Sequence, residues 1–115
     1  MKIAEFARLS GLSAHTIRYY ERIGLLERVG RDASGHRDYD NSALEWTHFL
    51  GRLKATGMSI REMQLYAQLR RTGKQTEAER CRLLQRHRDR VRQRLAETQA
   101  CLAYLDRKID NYTSD

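Results

Sequence analysis

The sequence predicts a mainly α-helical protein, with a winged helix-turn-helix head, a small β-hairpin wing and one long helix after the head. Three observations lead to this fold class. Residues 11–26, with the sequence GLSAHTIRYYERIGLL, have the pattern of a turn followed by a helix. A polar stretch with glycines comes next, and residues 76–112 contain neither glycine nor proline. The whole chain of 115 residues lacks proline, which is typical of long uninterrupted helices.

Residues 2–9 and 13–22 form the predicted helix-turn-helix. Ser13 can accept a hydrogen bond from a free amide at the start of the second helix, and Gly24 can end that helix in a left-handed conformation. Two helices joined by a short turn with a glycine are typical of DNA-binding heads. The second helix is therefore the predicted recognition helix, and its candidate DNA contacts are His15, Thr16, Arg18, Tyr19 and Tyr20.

The neighbouring tyrosines of this helix, Tyr19 and Tyr20, are DNA contacts or parts of the core. Adjacent helical positions point about 100° apart, so both rings cannot face the same core. Core packing is the alternative for either ring, and at least one of the two is predicted to be exposed.

The predicted wing is a short β-hairpin between residues 27 and 39, with glycines in its polar loop. Arg31 lies at its tip, and Arg37 and Tyr39 lie on its return strand. Arginine and tyrosine at these positions suit phosphate contacts, which orient a protein on DNA without reading the base sequence. A solvated hairpin with incidental arginines is the alternative.

Two more helices complete the predicted head. Asn41 and Ser42 can cap a third helix, in which Trp46 supports the head. Lys54 lies near the end of that helix. Ser59 can cap a fourth helix.

A break at residues 72–74 divides the chain into a predicted DNA-binding domain, residues 1–72, and a coiled-coil dimerisation helix, residues 76–112. That helix would span about 55 Å, which is more than a head of this size can cover. Its apolar residues follow the spacing of a coiled-coil seam, so a homodimer is predicted; the alternative is a helix folded back on its own head. The seam positions are Cys81, Leu84, Arg88, Val91, Leu95, Thr98, Leu102, Leu105, Ile109 and Tyr112.

Charge and composition limit the function classes. The chain has 22 basic and 15 acidic residues, a net charge of +7, which favours a polyanionic partner. Without a membrane-length apolar run or a signal-peptide pattern, we expect a cytoplasmic protein with no membrane partner. Without a nucleophile–base pair, a phosphate-binding glycine loop or a metal constellation, we expect neither an enzyme nor a cofactor. A nonspecific nucleoid or architectural protein is the alternative to a sequence-specific regulator.

Six short motifs follow one another along the chain: IAEFA (3–7), GLS (11–13), TIRYYER (16–22), GLL (24–26), GHRDY (35–39) and GMSI (57–60). Together they resemble the MerR family of bacterial transcription regulators. The resemblance continues into the long helix and covers nearly all of the chain.

The resemblance implies a mode of action. The long helices of two copies would pair antiparallel, so that two recognition helices enter successive major grooves of a near-palindromic operator. Such regulators bind promoters with an overlong spacer and bend and untwist this double-stranded DNA so that RNA polymerase can engage it. Carried over by motif position, the implied contacts are Arg18, Tyr20, Arg31, Arg37, Tyr39 and Lys54, with His15, Thr16 and Tyr19 as further candidates.

The protein is expected to respond to an effector or a stress signal. The short chain is most similar to the branch of the family that responds to aldehydes, other electrophiles or nitrosative stress, and that often has a reactive cysteine in the third helix. Arg52 occupies the position expected for that thiol. Cys81 and Cys101 are the remaining candidate thiol sensors, with the alternative role of small buried hydrophobes. They lie about 30 Å apart on a straight helix, too far to bridge, and no metal site is expected.

Overall fold

The computed structural model describes residues 1–27 and 29–114. The chain is mainly helical, as predicted, and forms two compact units, Met1–Arg80 and Cys81–Asp115. The helices are α1 (Ile3–Ser10), α2 (Ala14–Arg22), α3 (Asn41–Ala55), α4 (Ile60–Thr72) and α5 (Glu77–Thr113), with a short 3-10 turn, Lys74–Thr76, before α5.

Serine side chains cap α2 and α4, which confirms both predicted caps. The Ser13 hydroxyl oxygen accepts a hydrogen bond from the Thr16 amide at 3.1 Å. The Ser59 hydroxyl oxygen accepts one from the Glu62 amide, also at 3.1 Å. Each bond satisfies one of the four amides that a helix leaves unpaired at its first turn.

Asp40 caps α3, in place of the predicted Asn41 and Ser42. Its Oδ1 accepts the Ala43 amide at 2.9 Å and the Ser42 hydroxyl at 2.7 Å. These bonds, the one from Ala43 first, hold the pKa of the Asp40 carboxyl below its ordinary value. The carboxylate can make them because Asp40 has an extended backbone, and the helix begins one residue later.

The core of the first unit is built from one side of each of its helices. Phe6, Ile17 and Met63 have no exposed surface, and Leu50 is 1% exposed. Phe6 also stacks on Tyr39, with 4.4 Å between the ring centroids and 9° between the ring planes. The chain just before α3 is therefore packed against α1.

The segment after α2 is fixed by side chains that come much later in the chain. The three consecutive carbonyls of residues 23–25 accept hydrogen bonds from Gln64 at 2.8 Å, Arg71 at 2.9 Å and Trp46 at 2.7 Å, in that order. The middle residue is Gly24, whose φ of +82° is the left-handed conformation predicted for it. Trp46 thus supports the head, as predicted.

The loop between α2 and α3 does not form the two predicted wing strands within the described residues; Arg28, part of the predicted first strand, lies outside them. One isolated antiparallel bridge joins Arg31 to Arg37. Between these arginines, Asp32 Oδ1 accepts two backbone amides, at 2.9 and 3.1 Å. Two backbone hydrogen bonds flank the bridge: the Asp32 amide donates to the His36 carbonyl at 2.8 Å, and the Asp38 amide donates to the Gly30 carbonyl at 3.0 Å. Residues 29–39 are called the wing loop below.

The helix α5 carries a row of apolar side chains on its surface. In one chain, more than half of the surface of each of these residues is exposed: Leu95, Leu102, Tyr104, Leu105, Ile109 and Tyr112. All of them except Tyr104 occupy predicted seam positions. Across the described residues, no helix combines the length and the apolar character needed to cross a membrane.

Candidate nucleic-acid interface

One side of α2 presents polar and aromatic side chains to solvent. His15, Arg18 and Tyr19 are exposed, and their positions fall within a sector of about 100° on the helix. Thr16 is half-buried, and its hydroxyl oxygen accepts a hydrogen bond from the Ser13 hydroxyl at 3.0 Å. The exposed sector combines a guanidinium group, an imidazole and a phenol, which are groups that hydrogen-bond to bases and phosphates.

The two adjacent tyrosines of α2 lie in different environments, as their spacing predicted. Tyr19 is 39% exposed, and the Arg22 guanidinium carbon lies 5.7 Å from its ring centroid. Tyr20 is 4% exposed, and its carbonyl accepts the amides of Leu25 and Leu26 at 2.9 and 3.1 Å. The structure therefore places Tyr19 on the candidate interface and Tyr20 in the interior.

The two arginines of the wing loop are held by different partners. Arg31 is exposed, and its Nη1 donates to the Gly35 carbonyl at 2.7 Å across the turn. The Arg37 side chain is 30% exposed, and its Nε lies 3.5 Å from Glu21 Oε2. The two arginines thus lie opposite each other at the bridge rather than at the tip, where Arg31 was predicted; one is oriented by the turn, and the other is oriented beside α2.

Tyr39 lies inside the head. It is 1% exposed, and its hydroxyl donates to Glu21 Oε1 at 2.6 Å. Burial raises the pKa of Tyr39 well above its ordinary value, and the hydrogen bond to Glu21 raises it further, so the phenol stays neutral. Arg37 and Arg18 act in the opposite direction, because both cations lie near the phenol. The wing loop and the exposed side of α2 therefore meet around Tyr39.

Glu21 was not singled out in the sequence as a site residue. Its side chain is 3% exposed, on the last turn of α2, and it joins Tyr39 and Arg37 to that helix. One signal was available: Glu21 follows the buried Ile17 by four residues, which puts a carboxylate on the core-facing side of the helix. A buried carboxylate requires polar partners, so its position called for a cation or a hydroxyl nearby.

A shallow cleft of about 300 Å³ separates the wing loop from the start of α1. Its basic lining residues are Lys2, Arg31, His36 and Arg37, and none of the described lining residues is acidic. Lys2 is a second site residue that the sequence did not predict, because its place beside the wing loop depends on how α1 packs. A cleft lined by several cations suits a phosphate group.

Lys54 is exposed in the last turn of α3. Within the described residues, no hydrogen bond or ion pair joins it to α2 or to the wing loop. A cation in this turn is favoured by the partial negative charge at the end of the helix.

Both candidate thiols are free and exposed in the single chain. Cys81 occupies a predicted seam position and Cys101 lies beside the seam. In the part of the chain that the structure describes, no group of three or more histidine, cysteine or acidic residues is placed to hold a metal ion.

Two family models match the sequence and together cover most of it. The model described as MerR family regulatory protein matches residues 2–39, and the model described as MerR, DNA binding matches residues 44–108. The chain belongs to the MerR family. This MerR protein therefore has the helical head and long terminal helix that the resemblance implied.

Known proteins similar to this MerR protein are named as transcription regulators, not enzymes. It is 36% identical over 109 residues to an uncharacterised HTH-type transcriptional regulator of Haemophilus influenzae, covering 95% of this chain and 81% of that protein. It is 40% identical over 91 residues to the HTH-type transcriptional regulator AdhR of Bacillus subtilis, covering 79% and 65% of the two chains.

A solved structure is similar over nearly the whole chain. The crystal structure of HiNmlR, described as a MerR family regulator lacking the sensor domain and bound to promoter DNA, has a TM-score of 0.88. Its sequence is 35% identical, and the match covers 97% of this chain and 89% of that one. The helical head and long C-terminal helix described above are thus the MerR-type fold.

Proposed function

We propose that this MerR protein is a sequence-specific transcription regulator that binds a near-palindromic promoter operator as a homodimer. The observation that carries the proposal is the arrangement of one exposed side of α2, with Arg18 and Tyr19, beside the wing loop with Arg31 and Arg37. This arrangement supports insertion of α2 into the major groove while the wing loop contacts the backbone. The promoter-bound HiNmlR structure supports the same class of DNA partner.

The site residues divide into two roles in this proposal. Arg18, with His15, Thr16 and Tyr19, faces the base edges or adjacent phosphates, whereas Arg31, Arg37 and Lys54 contact the backbone. The burial of Tyr20 and Tyr39 supports an indirect contribution, in which they hold α2 and the wing loop in place.

The homodimer is proposed from the exposed apolar row on α5. Residues 1–72 would bind DNA, and residues 76–112 would pair with the same segment of a second chain. Leu95, Leu102 and Ile109 are each more than 55% exposed in one chain. A two-fold seam would remove these side chains from water, and burial of one leucine contributes about 1.5–3 kcal/mol.

Charge favours an antiparallel arrangement of the two helices. Residues 80–94 contain seven arginines and one aspartate, whereas residues 95–114 contain three acidic and two basic residues. A parallel pair would place the two arginine-rich segments side by side, where like charges repel. An antiparallel pair places each beside the partner's less basic half.

We further propose that the dimer bends and untwists the promoter spacer so that RNA polymerase can engage it, in response to a stress effector. The similarity to AdhR and HiNmlR supports the stress-responsive branch. Cys81 and Cys101 are the proposed thiol sensors, since both are free thiols; Cys81 lies at a seam position of the proposed dimer, and Cys101 lies beside the seam.

Selection from a pool of random DNA duplexes tests the DNA-binding proposal. The full chain should enrich a near-palindrome and bind it about a thousandfold or more tighter than random DNA at the same salt concentration. A nonspecific architectural protein would bind both duplexes equally and lose affinity with salt equally on both. Equal affinity would therefore reject the sequence-specific regulator.

In vitro transcription tests the effector. The template carries the enriched operator in a promoter, and an electrophilic aldehyde is added to the wild type and to the Cys81→Ala, Cys101→Ala double variant. Induction by the wild type alone would assign sensing to these thiols. Induction by both proteins would reject the thiol sensors, and induction by neither would reject this class of effector.

A further inference from the structure

Glu21 joins the two parts of the candidate interface. It lies on the last turn of α2, one helical turn after Arg18, and its side chain is 3% exposed. Each carboxylate oxygen faces a different residue of the wing loop: Oε1 accepts the Tyr39 hydroxyl at 2.6 Å, and Oε2 lies 3.5 Å from Arg37 Nε. Within the described residues, no other side-chain hydrogen bond or ion pair joins the wing loop to α2.

The geometry of Arg37 explains why this contact matters for binding. A guanidinium group has five N–H donors, one on Nε and four on the two Nη atoms. Glu21 Oε2 forms an ion pair with the Nε edge without a hydrogen bond, and the 30% exposure of Arg37 leaves part of the side chain open to solvent and to the cleft beside Lys2. A guanidinium held on one edge can present the opposite edge to a phosphate without first losing rotational freedom.

We propose that Glu21 is a positioning residue for DNA binding, which holds Arg37 and the wing loop at a fixed place beside α2. This inference rests on the proposed function, because it assigns Arg37 to the DNA backbone. In this proposal, Glu21 itself does not touch DNA. Its negative charge nevertheless strengthens binding to a polyanion, because it orients Arg37, a cation that contacts the DNA backbone.

A double-mutant cycle on DNA affinity tests the proposal. The four proteins are the wild type, Arg37→Ala, Glu21→Gln and the double variant, all as full chains. The probe is a random-sequence duplex of about 30 base pairs, roughly three helical turns, because a phosphate contact does not depend on base sequence. Glutamine keeps the volume of glutamate and an oxygen for the Tyr39 hydroxyl, but it loses the charge that holds Arg37.

Arg37→Ala should weaken binding about tenfold in the wild type and less than about twofold in the Glu21→Gln background. The slope of log affinity against log salt should fall by about one unit in Arg37→Ala and in Glu21→Gln alike. An equal factor in both backgrounds would overturn the inference, and so would tighter binding by Glu21→Gln.

Glu45→Gln is the matched control, because Glu45 is exposed on α3 and its neutralisation changes the net charge by the same amount. It should leave the salt slope unchanged and bind slightly more tightly. A merely electrostatic role for Glu21 would give the same result as this control and would contradict the positioning role.

Arg37→Lys provides a test that does not alter the buried carboxylate. Lysine keeps the charge, but its ammonium group has no planar fork that can face Glu21 with one edge and a phosphate with the other. The variant should lose most of the affinity that Arg37→Ala loses, whereas wild-type affinity would overturn the inference.

If the wild type itself shows no salt-dependent DNA binding, the proposed function fails together with the inference. If the wild type binds but the cycle shows no coupling, the inference alone fails.

Discussion

A phenol and a carboxylate account for much of the local order of the head. Tyr39 stacks on Phe6 of α1 with its ring and bonds Glu21 of α2 with its hydroxyl. One residue of the wing loop thus touches both helices of the helix-turn-helix. The residue acts through its position in the interior, and its contribution is expected to be to stability.

Tyr39→Phe should destabilise the protein by about 1–3 kcal/mol, because it leaves a buried carboxylate oxygen without its donor. Ring stacking on Phe6 would be retained. The free energy of unfolding in urea measures the loss. Tyr66→Phe is the control, since Tyr66 is half-buried and no described hydrogen bond involves its hydroxyl. Equal stability of the two variants would contradict the importance of the bond.

The raised pKa of Tyr39 predicts a loss of stability in alkali. The unfolded chain releases this phenolic proton near pH 10, whereas the folded protein holds it to higher pH. The stabilisation is thus complete below pH 10 and is lost as the pH rises above that value. Urea unfolding at increasing pH should show a decline in the wild type that is shallower in Tyr39→Phe. Parallel declines would assign the effect to other groups.

Arg18→Ala is expected to separate base reading from backbone contact. If Arg18 reads a base, the variant should lose about 1–3 kcal/mol of affinity for the selected operator and much less for random DNA. Competition binding on both duplexes at one salt concentration measures the difference. An equal loss on both would make Arg18 a phosphate contact.

At the scale of the element, capping decides where the helices begin. Ser59→Ala should cost about 1 kcal/mol, because the Glu62 amide loses its partner at the start of α4. Thermal or urea unfolding gives the value. Ser34→Ala, on the exposed wing loop, is a suitable comparison and should change stability by less than about 0.5 kcal/mol. Similar losses in both would remove the capping explanation.

The caps and the wing differ in how far the sequence could predict them. Ser13 and Ser59 act on amides three residues away, so the pattern that predicts them is local. The choice of Asp40 over Asn41 and Ser42 depends on one backbone conformation, and the prediction missed it by one residue. The wing was expected to be a ladder of strands, but the described residues of the loop form one isolated bridge with a backbone hydrogen bond on either side.

At the scale of the whole molecule, the seam of α5 has a direct test. Leu102→Glu should raise the dimer dissociation constant by about a hundredfold or more, since a two-fold pair loses two buried leucines and gains two buried charges. Sedimentation equilibrium measures it. Tyr104→Glu is the matched control, because Tyr104 is similarly exposed but lies off the seam. A dimer that tolerates Leu102→Glu, or that Tyr104→Glu disrupts equally, would place the interface elsewhere.

Periodicity and motifs predicted the order of the helices and the family. They did not predict which site residues are exposed and which lie in the interior. Tyr20 and Tyr39 are residue types that contact DNA when exposed, and both lie inside the head. The positions of Glu21 and Lys2 at the site depend on contacts between elements that are distant in sequence. Such contacts depend on packing, which no local pattern encodes.

The fixed segment after α2 has a consequence for the order in which the protein folds. The carbonyls of residues 23–25 accept hydrogen bonds from donors that lie 21 to 47 residues later in the chain. During synthesis, the segment after α2 leaves the ribosome early but gains the last of these bonds only after Arg71 has emerged. We expect the amides in the last turn of α2 to exchange with solvent only through unfolding of the entire head, so that its recognition surface is lost and regained with α3 and α4 as one cooperative unit.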